Sequence, residues 1–319
     1  MSSRRTAVFM DAGRSLEDSI ERVKLIESLG YESAWSSHLA GRDPMHVFNR
    51  WAAATERMGF GTGVTPIFVR HPALLAQEAA TLDQLSGGRF NLGIGTSHTV
   101  TVEGWYGQTL DHPVSRMREY TTILRQLFTT GASNLDGKHY TSHFAFMGLR
   151  GRPEQKIFWA AMGPKMLRAA AELADGVCLW MCSPTHIRNT IRPLLEKALA
   201  DRGRSFDEFD IVAAVPCGVT EDVDAGRDLF RGTAMTYWSL PFYRKEVLAA
   251  HPEALAGFDA GQPIPDEVID EFAGIGSPEV VRAKVEDYRD AGVTLPAVGL
   301  MPVPEGLEET LKAAAPSAA

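Results

Sequence analysis

The chain has 319 residues, 45% hydrophobic and 23% charged, a mixture that supports a packed core and excludes disorder, collagen and coiled coil. Lys plus Arg number 32 against 40 Asp plus Glu, a net charge of −8 with no Lys/Arg-rich block, so nucleic acid and anionic membrane surfaces are poor partners. The N-terminus leads at once into a strand-like run without a signal-type apolar stretch, and no run of about 18 apolar residues occurs, so the expectation is a cytoplasmic protein outside the membrane.

Short β-rich runs alternate with amphipathic helices. Thr6 to Met10 reads as a first strand, and Ser15 with Asp18 three residues on forms a capping box that opens a helix ending at Gly30. Tyr31 to Ser36 is the second strand, residues 44–58 a helix that buries Val47, Phe48, Trp51 and Thr55, and Gly59 to Ile67 the third strand. Pro72 opens a helix that stops at Ser86-Gly87-Gly88, and Arg89 to Ile94 is the fourth strand. Met117, Tyr120, Leu124, Leu127 and Phe128 share one face of a helix over 115–129. Ile157 to Ala161, Gly176 to Met181 and Ile211 to Val219 are strands five to seven, with helices over 164–173 and 185–201; Ser277-Pro278 caps another helix, and Pro296 to Met301 is the eighth apolar run. Eight strands alternating with helices, with no linker, predict an α/β fold of one domain over residues 1–319, a single (β/α)8 TIM barrel. Residues 99–114, 130–155 and 237–275 break the repeat and are expected to be insertions over the C-terminal mouth.

Catalytic groups in such a barrel belong at the C-terminal ends of strands. Of the nine histidines, His38 follows the second strand and His98 the fourth, so both point at the mouth; an ordinary satisfied polar role stands as the alternative for each. His71, ahead of Pro72, suits a loop or cap role. His139 and His143 have the i, i+4 spacing of a helical metal pair, but the Asp136-Gly137 turn and the Tyr-Thr-Ser between them argue against a helix, and no metal site is expected. The three cysteines (Cys178, Cys182, Cys217) are too few for a disulfide framework and read as buried thiols. Gly93-Ile94-Gly95 lacks the third glycine of a dinucleotide fingerprint and reads as a strand-to-loop turn against which a flat ligand lies. Ala160, Ala161, Met162, Gly163, Pro164 and Lys165 combine a strand end, a glycine, a helix-opening proline and a lysine, the makings of an anion site on free N–H groups and the helix dipole.

Those residues, with Gly61-Thr62-Gly63-Val64-Thr65-Pro66, Leu85-Ser86-Gly87-Gly88-Arg89-Phe90, Leu92-Gly93-Ile94-Gly95-Thr96-Ser97-His98, Val102-Glu103-Gly104, Tyr106-Gly107 and Arg116-Met117-Arg118-Glu119-Tyr120, resemble the luciferase-like monooxygenase superfamily, and several of the segments resemble its branch using the deazaflavin coenzyme F-420. The resemblance runs from the first strand to the last. It implies a ring bound at the mouth, its phosphate at the loop after the fifth strand (Ala160 to Lys165), a bulge with a cis non-proline peptide at Gly63–Val64 behind the ring, cofactor contacts from His38, Gly95, Thr96 and Ser97, and His98 beside the hydride-donating carbon. Other branches carry Glu at position 98, and Met162 stands where some relatives have Gly.

The function expected is hydride transfer between reduced coenzyme F-420 and a small organic acceptor of enone, imine or quinone type, with His98, His38 and Glu103 handling the proton and Trp105 and Tyr106 in the substrate pocket. The alternatives are an FMN-dependent two-component monooxygenase and a flavin-binding barrel without catalysis. A homodimer, and a separate reductase supplying reduced cofactor, are the expected protein partners. Residues 237–275 match no motif and are expected to shape the substrate pocket.

Overall fold

The computed structural model describes residues 4–13, 15–247, 251–303 and 306–316. Eight parallel strands follow one another around a closed ring: β1 (Ala7–Phe9), β2 (Ser33–Ser36), β3 (Gly59–Thr62), β4 (Phe90–Gly95), β5 (Ile157–Ala160), β6 (Gly176–Leu179), β7 (Asp210–Val219) and β8 (Leu295–Leu300), which returns to pair with β1. Val8 of β1 faces Ala34 of β2 on one side and Val298 of β8 on the other. Helices join successive strands, and the fold is a TIM barrel, as the alternation predicted.

The helix boundaries follow their caps. Ser15 accepts from the Asp18 N–H at 3.1 Å and opens the helix Leu16–Ser28; His71 Nδ1 accepts from the Ala73 N–H at 3.2 Å ahead of Pro72–Leu85. The helix expected over 44–58 stops at Ala54, where Thr55 takes an extended backbone. The helix expected over 185–201 is divided into Pro184–His186, a π turn over Ile187–Ile191 and Arg192–Ala200. Pro193 explains the break, since it lacks the N–H that would continue the i to i−4 ladder. The helix Val223–Trp238 escaped the sequence reading; its buried stripe is Gly226, Phe230, Ala234 and Trp238, two of them too small to register as apolar periodicity.

Six side chains, Ala7, Trp35, Phe158, Val212, Leu295 and Ala297, form a core inside the barrel, separate from the larger core between strands and helices. Trp35 and Phe158 meet edge to face, 5.1 Å between centroids, and Gly61 is glycine because a Cβ there would lie 2.4 Å from the Trp35 ring. The interior is a plug, so a ligand has access only at the mouth. At the opposite end the residues entering the strands are ionic. Asp210 takes Arg5 at 2.6 Å, Lys156 at 3.2 Å and the Thr294 hydroxyl at 2.9 Å, while Arg5 also bridges to Glu32.

The first insertion holds a π-helical segment, Val100–Trp105. The second is an antiparallel hairpin, Ala132–Asp136 with Thr141–Ala145, leaning on the helix Pro113–Thr130 through Glu119, which accepts three consecutive hairpin N–H groups from Lys138, His139 and Tyr140. The third is helical over Pro241–Val247, Pro252–Asp259 and Asp266–Phe272, then adds the short strand Gly274–Gly276 to β7; its residues 248–250 lie outside the described ones.

Candidate active site

The strand predicted over 59–67 is interrupted. After β3 the Gly63–Val64 peptide is cis, as the resemblance implied, and Thr65–Pro66 resumes pairing with β4 alone. The bulge requires close backbone approach: a Cβ on Gly93 would lie 1.8 Å from the Thr62 carbonyl oxygen, and the Thr62 hydroxyl donates to Gly93 O at 2.7 Å. A Cβ on Gly95 would lie 2.6 Å from Val64 and 2.9 Å from Ala160. The bulge of β3, the end of β4 and the end of β5 therefore meet at Gly95. Beyond it Ser97 adopts φ +60°, a left-handed conformation that costs a non-glycine residue about 1 kcal/mol or more and turns the chain toward His98.

On the β5 side, Gly163 caps the helix Pro164–Leu173 with no side-chain acceptor, and Lys165 stands exposed in the first turn. The N–H groups of the helix start have no intrahelical acceptor. A Cβ at Gly163 would meet only the Phe242 ring, 3.6 Å away, so the loop has room beside it.

His38 lies at the end of β2 with most of its side chain covered. Its Nδ1 is 3.1 Å from Arg70 Nη1, and Arg70 also holds Asp43 at 2.5 Å and Glu78 at 3.5 Å. A guanidinium only donates, so Nδ1 accepts and the ring proton sits on Nε2. Burial is the first cause that lowers the His38 pKa; Asp43 raises it and Arg70 lowers it. His38 is thereby a neutral ring with an N–H donor.

His98 stands among rings. Its centroid is 5.3 Å from Tyr243 and 6.3 Å from Tyr237; Tyr237 is edge-on to Trp180 at 5.5 Å, and Trp180 stacks on Phe9 at 5.9 Å. A Cβ on Gly63 would lie 2.7 Å from Phe9 Cε2, so this arc of rings runs from the bulge to His98 across the mouth. Burial alone lowers the pKa of His98, and burial raises those of Tyr237 and Tyr243.

The structure thus brings together Gly63, Val64, Gly95, Ala160 and, beyond the strand ends, His98. Glu103, Trp105 and Tyr106 stand outside these contacts: Glu103 accepts from the Leu110 N–H at 3.2 Å, and Trp105 and Tyr106 are 53% and 40% exposed. The rings against His98 are Tyr237 and Tyr243, with Trp180 edge-on to Tyr237, and the sequence reading missed all three. Trp180 was findable, just past the sixth strand; the two tyrosines carry no such signal. His139 and His143 sit in the hairpin, where His143 contacts Asn134 and Asp136, and among the described residues no group of three or more His, Cys, Asp or Glu is placed to hold a metal. Burial pushes the Cys217 thiol up to about 12. A cleft of about 520 Å³ opens beside Ile67, Arg70, His71, Asp111, Arg116 and Tyr140; it adjoins the site through Arg70, which bonds His38, and there Asp111 pairs with Arg116 at 2.7 Å.

A closed parallel barrel, plugged inside and carrying a glycine-built cradle at the C-terminal ends of adjacent strands, defines an α/β-barrel enzyme with its ligand site at the mouth. The chain belongs to the luciferase-like monooxygenase family, whose model matches residues 1–295. It is 33% identical over 293 residues to 5,10-methylenetetrahydromethanopterin reductase of Archaeoglobus fulgidus, covering 87% of each chain. Among solved structures, the coenzyme F-420 dependent tetrahydromethanopterin reductase of Methanopyrus kandleri superposes with a TM-score of 0.79 at 23% identity, covering 98% of this chain and 97% of that one. An F-420-dependent secondary alcohol dehydrogenase, in complex with an F-420–acetone adduct, gives 0.80 at 18% identity, covering 97% and 96%. At these identities the structural likeness is one of fold. Among the described residues no helix is long and apolar enough to cross a membrane.

Proposed function

We propose that the protein is a coenzyme F-420-dependent oxidoreductase that reduces or oxidises a small organic substrate of enone, imine or quinone type at the barrel mouth. The observation that carries the reading is the convergence on Gly95 of the β3 bulge, the β4 end and the β5 loop, which builds a flat backbone wall beside an uncapped helix start. The cradle fits a planar ring with a phosphate. Gly63, Val64, Gly95, Thr96 and Ser97 would line the ring, and Ala160, Ala161, Met162, Gly163, Pro164 and Lys165 would hold the phosphate on N–H groups, the helix dipole and one cation.

Bound there, the deazaflavin supplies a hydride, a two-electron donation. The chain's part is the proton and the environment. Addition of a hydride to one end of a C=C or C=N bond leaves a basic atom at the other, which one proton satisfies. His98, at the mouth beyond Gly95, would make that transfer. His38, its pKa lowered chiefly by burial and its tautomer set by the Arg70 bond, would donate its Nε2–H to the cofactor ring instead of passing a proton. Glu103, exposed at the rim, would serve proton exchange with solvent at most.

Titrating the purified protein with coenzyme F-420 and with FMN, followed by fluorescence, tests the reading. Tighter binding of F-420 is expected, and Gly163→Asp should weaken it at least tenfold while leaving the melting temperature unchanged, since the added Cβ meets only Phe242. A preference for FMN would favour the two-component monooxygenase served by a separate reductase; tight binding without hydride transfer to any acceptor would leave a flavin-holding barrel.

A further inference from the structure

We propose that Arg70 is a positioning residue for His38: bonded to both the imidazole and Asp43, it keeps the ring in the state that offers an N–H at Nε2 and prevents its capture by Asp43 as an imidazolium–carboxylate pair. The inference rests on the cofactor reading for what that N–H meets. The state of the ring does not depend on it.

Each nitrogen of the guanidinium has its own partner. Nη1 donates to His38 Nδ1 at 3.1 Å, Nη2 donates to Asp43 Oδ2 at 2.5 Å, and Nε faces Glu78 Oε2 at 3.5 Å. A planar fork serves several partners in fixed directions, which the point charge of a lysine does not. The partners are anchored in turn. Asp43 caps the helix Pro44–Ala54 by accepting from the Met45 N–H at 2.9 Å, and Glu78 belongs to the helix Pro72–Leu85. The backbone of Arg70 is held as well: the Tyr120 hydroxyl donates to its carbonyl at 3.1 Å, and three residues earlier the Ile67 N–H donates to Gly95 O at 2.9 Å. Arg70 thus links the backbone cradle to His38.

The second observation is the competitor. Asp43 Oδ1 lies 3.9 Å from the same His38 Nδ1 that Arg70 occupies. Burial, the largest influence on the ring, disfavours the imidazolium, Asp43 favours it, and Arg70 disfavours it. Glu78 meets Arg70 on its Nε side, and the charges acting on Glu78 are Arg70, Asp43 and His46. With Arg70 removed, the lone pair on Nδ1 loses its donor while a carboxylate stands within reach. A proton added at Nδ1 then gains that carboxylate as a partner, and the ring carries protons on both nitrogens.

Nitrogen NMR of the full-length protein carrying isotopically labelled histidine reads the ring directly, the His38 signals being those lost in His38→Asn. In the wild type at neutral pH, Nε2 should carry the proton and Nδ1 none. Arg70→Met should raise the midpoint of the ring's titration by about one pH unit or more, and adding Asp43→Asn should bring it back. Fluorescence titration with F-420 gives the functional side. Arg70→Met and His38→Asn should each weaken binding about fivefold, the worth of one hydrogen bond, and the double variant should bind no more weakly than His38→Asn. A proton on Nδ1 in the wild type, an unmoved midpoint in Arg70→Met, or losses that add in the double variant overturns the role, and the first of these is read without any change at Arg70. Should F-420 fail to bind the wild type while the spectra behave as stated, the cofactor reading fails and the role of Arg70 stands.

Discussion

The two ends of this barrel solve opposite problems. At the N-terminal end, Arg5, Glu32, Lys156 and Asp210 enter the strands as a connected ion network with Thr294, and every charge has a partner within 3.2 Å. At the C-terminal end the strands give way to glycines, an uncapped helix start, two neutral histidines and an arc of rings. The first end ties five strand starts together, and its residues do nothing that a ligand needs. The second leaves N–H donors and ring faces unspent. Between them the Trp35–Phe158 plug insulates one from the other. Stability and ligand chemistry are divided along the barrel axis, the physical content of the rule that conservation of function sits at the top of such barrels and conservation of fold at the bottom.

That division is broken most severely through the plug. Trp35→Ala should cost about 3–5 kcal/mol, because a ring with essentially no exposure leaves a cavity that Gly61 on the next strand cannot fill. Urea unfolding measures it, and a loss under about 1 kcal/mol would mean that the interior repacks and is no plug.

At the mouth, His98→Ala should reduce turnover by about 10²-fold, roughly 2.7 kcal/mol in the barrier, with cofactor affinity within a few-fold and melting temperature little changed. The pH profile sharpens this. Burial lowers the His98 pKa from its ordinary 6.5, so where His98 donates the proton the rate falls as pH rises through a midpoint below 6.5, and the alanine variant loses that limb. In the reverse, oxidative direction the neutral ring is the base and the limb rises instead. A wild-type profile flat between pH 5 and 7 moves the proton elsewhere, with the Tyr237 hydroxyl next in line.

At the bottom, Asp210→Asn should cost a smaller 1–3 kcal/mol, roughly, at neutral pH by removing the buried carboxylate that holds Lys156 and shares Arg5 with Glu32. Burial pushes the Asp210 carboxyl up, but the Arg5 hydrogen bond and charge outweigh it and hold the pKa below the usual 3.8. Its stabilisation is thus complete above 3.8 and lost as pH falls through the lower, folded value, so the asparagine variant should show a shallower acid limb in thermal denaturation while turnover per folded molecule stays as it was. An effect on turnover would mean that the two ends are coupled.

The sequence was a good guide where the signal was local. Seven of the eight strands fell where apolar runs and glycine stops put them, the third being broken at the Gly63–Val64 bulge, and Ser15, His71, Pro72 and Pro164 opened helices as their chemistry dictates. The helix start at Gly163 was legible for the same reason, since its parts are consecutive residues. The cis peptide at Gly63–Val64 was legible through the family resemblance alone. Residues 99–106 were read only from their closeness to His98 in the chain; they form a π-helical segment in which Trp105 and Tyr106 are exposed and Glu103 holds the Leu110 N–H.

By itself, then, the sequence determined the barrel, its order and its backbone cradle, because hydrophobic periodicity, caps and glycine turns act over a few residues and need no partner to be read. Tertiary structure alone decided what surrounds His98. Tyr237 and Tyr243 lie about 140 residues along the chain, in a segment whose prolines break its periodicity, and only the return of the insertion to β7 through Gly274–Gly276 carries them over the mouth. The tautomer of His38 was decided in the same way, by Arg70 reaching across from beyond β3. Contacts between residues far apart in sequence depend on how whole elements pack, and no local pattern encodes them.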